Sequence, residues 1–476
     1  MQVGSTPLFW ILLVVTIVII AIELIRGISG SSNILGLPVV AGTMWLYFYG
    51  YMAARVGTTL DYMLPSWSLE AGQMLALVSY SALLAGWYYK MNRRGYRVPR
   101  RMELDLNMAR RVFACGVGLL IIAIIGQYTF FGQQVIDYKN TSNYWYLMFY
   151  AGYPGGALCL LALSSCPAMR RSAKPAALGV LIVLLMWQHL LTARRGPIFP
   201  MVIVLCYVPY LVKGGRPNRG VVLGGLALAG FAMLVAVWAR PYVYAPFYRQ
   251  ADWTLQDRLD GWRLAADTFA FQEVVDDRTT LASDNEFLYH CGALAVIWEL
   301  GDYQYGTGYL TLLTHWIPRQ LWPEKPVLQE GLFESHWYAE MHGRLGFGLS
   351  YGAAAGGAAN AFEQLGLVVP VLWFAVGRFA RFLFNGAIIE RRPERIVQYT
   401  GFVCAFHWMV AQALGAMFVP ACYYIVLPTM LLRIVSRGGW GSRCWEAHFW
   451  PAGTRRVDVN EAVKEPRLKQ QLLESK

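Results

Sequence analysis

Charge is what this sequence has least of. Only 15% of its 476 residues are charged, against 56% hydrophobic, and the mean hydropathy is +0.38. That balance excludes an ordinary soluble domain. The apolar runs show no alternation at every second residue, which excludes a membrane β-barrel. No small-residue cleavage site follows the first run, so it reads as a retained helix rather than a signal peptide. Eight cysteines are present, but none has paired spacing. Cys115, Cys159, Cys166, Cys206, Cys404 and Cys422 lie in or beside apolar runs, while Cys291 stands alone in the long insert between runs and Cys444 alone in the tail. Neither a disulfide framework nor a metal site is expected from them. No internal repeat of the kind that marks many secondary transporters is visible. Acidic residues number 29 against 41 basic ones, giving a net charge of +12. In a soluble chain that excess would raise nucleic acid as a partner. Here the basic residues crowd short loops on one side of the apolar runs, so no nucleic-acid partner is expected.

What is abundant is apolar sequence in runs long enough to cross a bilayer core. The fold class expected is an all-α polytopic membrane protein with about 11 transmembrane helices. They fall near 8–25, 35–54, 70–89, 112–131, 144–165, 176–193, 197–212, 221–239, 361–384, 397–416 and 418–434. Lys90, Arg93, Arg94, Arg97, Arg100, Arg101, Arg110 and Arg111 crowd one loop, and Arg170, Arg171 and Lys174 the next on that side. Lys213, Arg216 and Arg219 follow, then Arg391, Arg392 and Arg395, then Arg437 and Arg443. The positive-inside rule makes these loops cytoplasmic, with the N-terminus outside and the C-terminus inside. The chain then divides into helices 1–8 over residues 1–239, a large extracytoplasmic loop with short helices over 240–357, helices 9–11 over 358–436, and a cytoplasmic tail over 437–476.

The loop from 240 to 357 is too long for an ordinary connection and so reads as functional. It holds four of the seven histidines: His290, His315, His336 and His342. His336 and His342 are not at the spacing of a helical ligand pair, which argues against metal. Residues 284–300 and 309–317 have helical periodicity. The loop's aromatics, among them Trp298, Tyr309, Trp316 and Trp322, suit an interfacial belt on the outer leaflet. They equally suit stacking on the apolar face of a sugar ring.

Glycosyl transfer needs a group to take the acceptor hydroxyl proton. Glu299, beside an apolar helix, and Glu363, near the mouth of the ninth span, are the acids easiest to bury, and burial raises a carboxylate's proton affinity. His315 is the histidine of choice, just ahead of a Pro-Arg pair. Three arginines stand at the membrane boundary: Arg194 and Arg195 in a tight turn before Gly196-Pro197, and Arg240 at the end of the eighth span. Charge there either serves a function or snorkels to headgroups. Arg319 and Lys325 flank a stretch stiffened by Pro323 and Pro326. A cation pair held there suits a phosphate or diphosphate, though a rigid solvated turn would look the same.

Three stretches together resemble the Wzy-type oligosaccharide repeat-unit polymerases of bacterial surface polysaccharides. They are Ala193-Arg-Arg-Gly-Pro197, the segment from Gly308-Tyr-Leu through Ile317-Pro-Arg-Gln-Leu-Trp-Pro-Glu-Lys-Pro326, and Gly356-Gly-Ala-Ala-Asn-Ala-Phe-Glu-Gln-Leu-Gly366. The middle stretch is the most specific; residues 1–190 and the tail contribute only topology. The resemblance implies a GT-C-like glycosyltransferase of the bacterial inner membrane that needs no nucleotide sugar, cofactor or metal. Its partners would be undecaprenyl-diphosphate-linked oligosaccharides, membrane lipid, and chain-length regulator and export proteins. Arg194, Arg195, Arg240, Arg319 and Lys325 would hold the diphosphate. Glu299, His315 or Glu363 would be the base, and Trp298, Tyr309, Trp316 and Trp322 would line the glycan groove. The family often carries an acid where Asn360 stands here, and Glu363 lies one helical turn later. The alternatives are an O-antigen ligase, which keeps this architecture, a lipid-linked oligosaccharide flippase and a scaffold subunit of a polysaccharide export complex. The near absence of charge within the spans argues against transport.

Overall fold

The computed structural model describes residues 6–29, 33–59, 64–89, 102–132, 150–169, 173–185, 198–213, 255–268, 286–301, 303–314, 356–411 and 414–437, with a few isolated positions between them. Among these residues every regular element is helical. Five helices are long and apolar enough to cross a membrane: Pro7–Ser29, Trp67–Tyr88, Leu106–Gly126, Gly356–Glu390 and Met417–Ser436. Pro175–Leu184 and Phe199–Lys213 are shorter apolar helices. The expected eighth span, near 221–239, lies almost wholly outside the described residues.

The first helix, α1 (Pro7–Ser29), shows why hydrocarbon and not water surrounds these elements. Its inward side carries Phe9, Leu12, Leu13, Thr16, Ile20, Glu23 and Gly27, recurring every three or four residues. Its outward side is just as apolar: Leu8, Ile11, Val14, Val15, Val18, Ile22, Ile25 and Ile28 are all exposed. A soluble helix has a polar outer face, whereas one apolar all round belongs in a membrane. Ile121, Ile122, Ile124 and Ile125 repeat the pattern on α5 (Leu106–Gly132).

At the centre of the bundle lies a helix whose first turns are almost wholly buried. It runs as α2 (Leu37–Trp45), a π-helical turn Leu46–Tyr51 and α3 (Met52–Thr59). Pro38 near its start is tolerated because the first-turn N–H groups have no intrahelical partner. Trp45 is its hub. The indole packs against Tyr49, Tyr80, Trp373 and Phe406 at ring-centroid distances of 5.0–6.4 Å. Its Nε1 donates to the Ala76 carbonyl at 3.1 Å. These contacts tie α2 to α4 (Ser66–Tyr88) and to the two later helices that carry Trp373 and Phe406.

Helices α6 (Gly152–Ser165), α7 (Ala173–Leu185), α8 (Ile198–Lys213) and α9 (Leu255–Asp267) follow in the chain. Next comes α10 (Glu286–Leu300), then α11 (Thr307–Thr314). Helix α10 belongs to the segment read from sequence as an outer loop, yet all of Phe287 to Ile297 is buried. It packs on α4 and on α12 (Gly356–Leu365). The polar flanks of the segment had masked a core helix.

The 35-residue apolar stretch Gly356–Glu390 would be about 52 Å long as one helix, well beyond a hydrocarbon core of about 30 Å. It is broken. After α12, Gly366 takes φ +56° and opens a short 3-10 turn to Val368, and the crossing helix α13 (Val369–Asn385) starts there. Helix α13 lies against α4 with no side chain between them at two points. A methyl group at Gly86 would lie 2.0 Å from the Phe374 carbonyl oxygen, and one at Gly377 would lie 2.1 Å from that of Leu83. Small residues of this kind let membrane helices approach closely. The last described elements are α14 (Pro393–Ala411), α15 (Leu414–Ala421), a π-helical turn at Cys422–Val426 and α16 (Leu427–Arg437).

The spans are less free of charge than the sequence implies. Glu23, 4% exposed on α1, accepts from Arg26 at 2.7 Å and from the Tyr88 hydroxyl at 2.6 Å. The pairing is what makes a buried carboxylate tolerable there.

Candidate functional site

Helix α12 reads Gly-Gly-Ala-Ala-Asn-Ala-Phe-Glu-Gln-Leu, small residues followed by three polar ones at i, i+3 and i+4. That spacing places Asn360, Glu363 and Gln364 on one side of the helix. The small residues bring it deep into the bundle. A methyl group at Gly357 would lie 1.6 Å from the Met409 carbonyl oxygen on α14, so only glycine permits this contact. The result is three polar side chains with almost no exposure: Asn360 at 3%, Glu363 at 1% and Gln364 at 0%.

Their partners arrive from the turn between α10 and α11. Gly301, Tyr305 and Gly306 there take φ of +66°, +49° and +83°. Tyr305 is an uncommon residue for left-handed backbone. Three hydrogen bonds join the turn to α12. The Gln304 N–H donates to the Glu363 carbonyl at 2.9 Å, and Gln304 Nε2 donates to Glu363 Oε1 at 2.8 Å. Asn360 Nδ2 donates to the other carboxylate oxygen, Oε2, at 3.3 Å. Gln364 Nε2 donates to Gln304 Oε1 at 2.6 Å. Tyr303 packs edge-on against Phe362 at 5.5 Å. Gly308 completes the fit, because a methyl group there would lie 2.5 Å from Gln364 Nε2 and 2.6 Å from Gln304 Oε1.

The carboxylate of Glu363 is thus held from two sides by neutral amides. Tyr309, on the first turns of α11, feels its charge. Burial first, then the negative charge of Glu363, pushes the Tyr309 phenol up from its ordinary value. The Tyr309 hydroxyl is itself buried and bonds to no protein group, and Gln364 Oε1 is likewise an unused buried acceptor. A buried polar atom without a partner costs about 1–3 kcal/mol. A hydroxyl donor, an amide acceptor and a carboxylate gathered in one place form a site complementary to a ligand that bears hydroxyl groups.

Of the expected site residues, the structure brings Glu363 and Tyr309 together. It corrects Glu299. The buried run of α10 stops at Ile297, and Trp298, Glu299 and Leu300 emerge on the last turn, so Glu299 is exposed and not the sequestered acid its apolar neighbours implied. Trp298, 59% exposed, stands 6.5 Å from Trp67, and Trp322 is 39% exposed. Arg194, Arg195, Arg240, His315, Trp316, Arg319 and Lys325 lie outside the described residues. Among the described residues no cluster of His, Cys, Asp and Glu could hold a metal ion.

Gln304 and Gln364 were not foreseen. The i, i+3, i+4 pattern on α12 carries a signal for Gln364, whereas Gln304 joins the site only because the chain folds back across 59 residues. His407 was missed as well. It is buried on α14 among apolar neighbours, a setting that gives no pattern.

Searches against protein-family models, curated proteins and solved structures return no match to this chain.

Proposed function

We propose that the protein is a glycosyltransferase that polymerises lipid-linked oligosaccharide repeat units of a bacterial surface polysaccharide. In this reading it is a GT-C-like enzyme of about 11 spans, with the 240–357 segment on the outer side of the cytoplasmic membrane. The observation that carries it is the buried Glu363 carboxylate, gripped by Gln304 and Asn360 beside the free Tyr309 hydroxyl. It sits just ahead of a membrane-crossing helix, in one of the three stretches that resemble the Wzy-type polymerases.

The chemistry follows from those groups. Glu363 takes the proton from a hydroxyl at the non-reducing end of the acceptor repeat unit. The freed oxygen bonds to the anomeric carbon of the growing glycan, and the bond from that carbon to the diphosphate breaks with inversion. Undecaprenyl diphosphate leaves with the electron pair. Cationic side chains facing that leaving group stabilise the charge developing on it, and Arg194, Arg195, Arg240, Arg319 and Lys325 are the residues assigned to that task. Tyr309 and Gln364 orient the acceptor by hydrogen bonds to its hydroxyls.

The test is reconstitution. The purified full-length chain in lipid nanodiscs is given lipid-linked repeat units, with no nucleotide sugar and no added metal. Lipid-linked chains longer than one repeat unit support the reading. Product that forms only when a lipid A core or a protein acceptor is added makes it a ligase. Translocation of the glycolipid without any new glycosidic bond overturns it in favour of a flippase.

A further inference from the structure

A second pair of unused polar groups lies on α14. His407, 7% exposed, sits one turn from the end of α14. Its Nδ1 lies 2.6 Å from the Cys404 carbonyl oxygen, a group that can only accept. Nδ1 therefore carries the hydrogen. A second proton on Nε2 would be a buried charge with no acceptor to meet it, so the imidazole is neutral and Nε2 holds a lone pair. That Nε2 is buried with no partner. The next side chain along, Trp408, packs its ring 4.8 Å from the imidazole, and its Nε1–H is a buried donor, also with no partner. One acceptor and one donor, adjacent and both unmet, are rare in a protein interior.

The surroundings place the pair. Phe199, the second residue of α8, packs 5.8 Å from the His407 ring, and Cys404 Sγ approaches the Pro200 carbonyl at 3.5 Å. In sequence Phe199 is four residues beyond Arg195. The Met409 carbonyl, two residues beyond His407, backs Gly357 at the start of α12. The pair therefore lies at the end of α14 that α12 touches.

We propose that His407 and Trp408 form a second binding subsite, which takes an uncharged hydroxyl of a saccharide. The lone pair on Nε2 repels an anion, so phosphate does not fit. A hydroxyl donates to His407 and accepts from Trp408 in one group, and a group that only donates or only accepts leaves one of the two unmet. Calling the ligand a saccharide rests on the glycosyltransferase reading; the pairing of acceptor with donor does not.

The experiment uses the full-length protein in nanodiscs, labelled with 5-fluorotryptophan, with the Trp408 fluorine line assigned by its loss in Trp408→Phe. The probe is undecaprenyl-diphosphate-linked oligosaccharide extracted from cells that make this protein, with undecaprenyl diphosphate alone as the second arm. The line is expected to move with the glycolipid and not with the bare diphosphate. His407→Phe is expected to abolish that movement and His407→Gln, which keeps an acceptor, to retain it. In the extension assay His407→Phe is expected to raise the acceptor KM by about 3- to 10-fold, the worth of one neutral hydrogen bond, with kcat within about twofold. A line that ignores the glycolipid means the pair holds water only and overturns the proposal, as does a line that moves with the diphosphate alone. Movement without polymer formation sinks the polymerase reading and leaves the subsite standing. Polymer formation with an unmoved line does the reverse.

Discussion

Replacing Glu363 by Gln separates chemistry from structure at the proposed site. The carboxylate accepts from Gln304 Nε2 at 2.8 Å and from Asn360 Nδ2 at 3.3 Å. In Glu363→Gln the new amide oxygen keeps the shorter bond, and the new amide nitrogen meets the Asn360 amide. Rotating the Asn360 amide by half a turn presents its oxygen instead and restores the pairing. Across these two bonds the structural cost is about 1 kcal/mol, one weakened hydrogen bond. The chemical cost is of another order. Loss of a general base removes roughly 10²- to 10⁴-fold in rate. Glu363→Ala is the contrasting variant. It withdraws the acceptor from two buried amides, at about 1–3 kcal/mol each, and so loses stability as well as activity. The assay is initial rate of repeat-unit extension in nanodiscs, beside a thermal unfolding scan of the same preparations. Glu363→Gln is expected to melt close to the parent and extend at least about 100-fold more slowly. Extension within tenfold of the parent by a normally folded Glu363→Gln would refute the assignment of the base.

Tyr309→Phe removes a buried hydroxyl that bonds to no protein group, so unfolding temperature should hold or rise slightly while extension falls; a clear drop in stability would mean the hydroxyl has a structural partner. Gly357→Ala forces α12 away from the Met409 carbonyl and is expected to destabilise by about 1–3 kcal/mol in a thermal scan, overriding the helix-propensity gain of alanine. Cysteines at 195 and 319, in a background without the native cysteines, should crosslink in membranes through a short bifunctional reagent; failure across several reagent lengths would separate the arginine turn from the Pro-Arg-Gln-Leu-Trp-Pro stretch. Arg195→Ala should insert normally and yield no chain extension, read by electrophoresis of the lipid-linked glycans.

Glu299 and Glu363 show where local sequence stops informing. Both acids stand beside apolar residues, and both met the same criterion for burial. Glu299 is on the last turn of α10, two residues past the point where the helix leaves the core. Glu363 is on a helix drawn inward by glycines and capped by a turn from elsewhere in the chain. The difference is made by what lies against each residue, and no spacing rule reports that. His290 makes the same point: read as a loop histidine, it is fully buried, its Nε2 set 3.1 Å from the Gly72 carbonyl.

The sequence by itself determined the class of the molecule. Hydrocarbon thickness dictates how long an apolar run must be, and a backbone in lipid must satisfy its hydrogen bonds within the helix, so composition and run length suffice to specify helices that cross a membrane. It also singled out Glu363, Tyr309 and the stretch from Gly356 to Gly366. Tertiary structure alone decided that the long apolar run there is two helices divided at Gly366, that a helix from the polar segment belongs to the core, and that Gln304 closes on Glu363 from 59 residues away. Periodicity records how a helix partitions between water and oil. Which helix packs on which depends on shape and hydrogen bonding between segments distant in the chain, and those contacts exist only once it has folded.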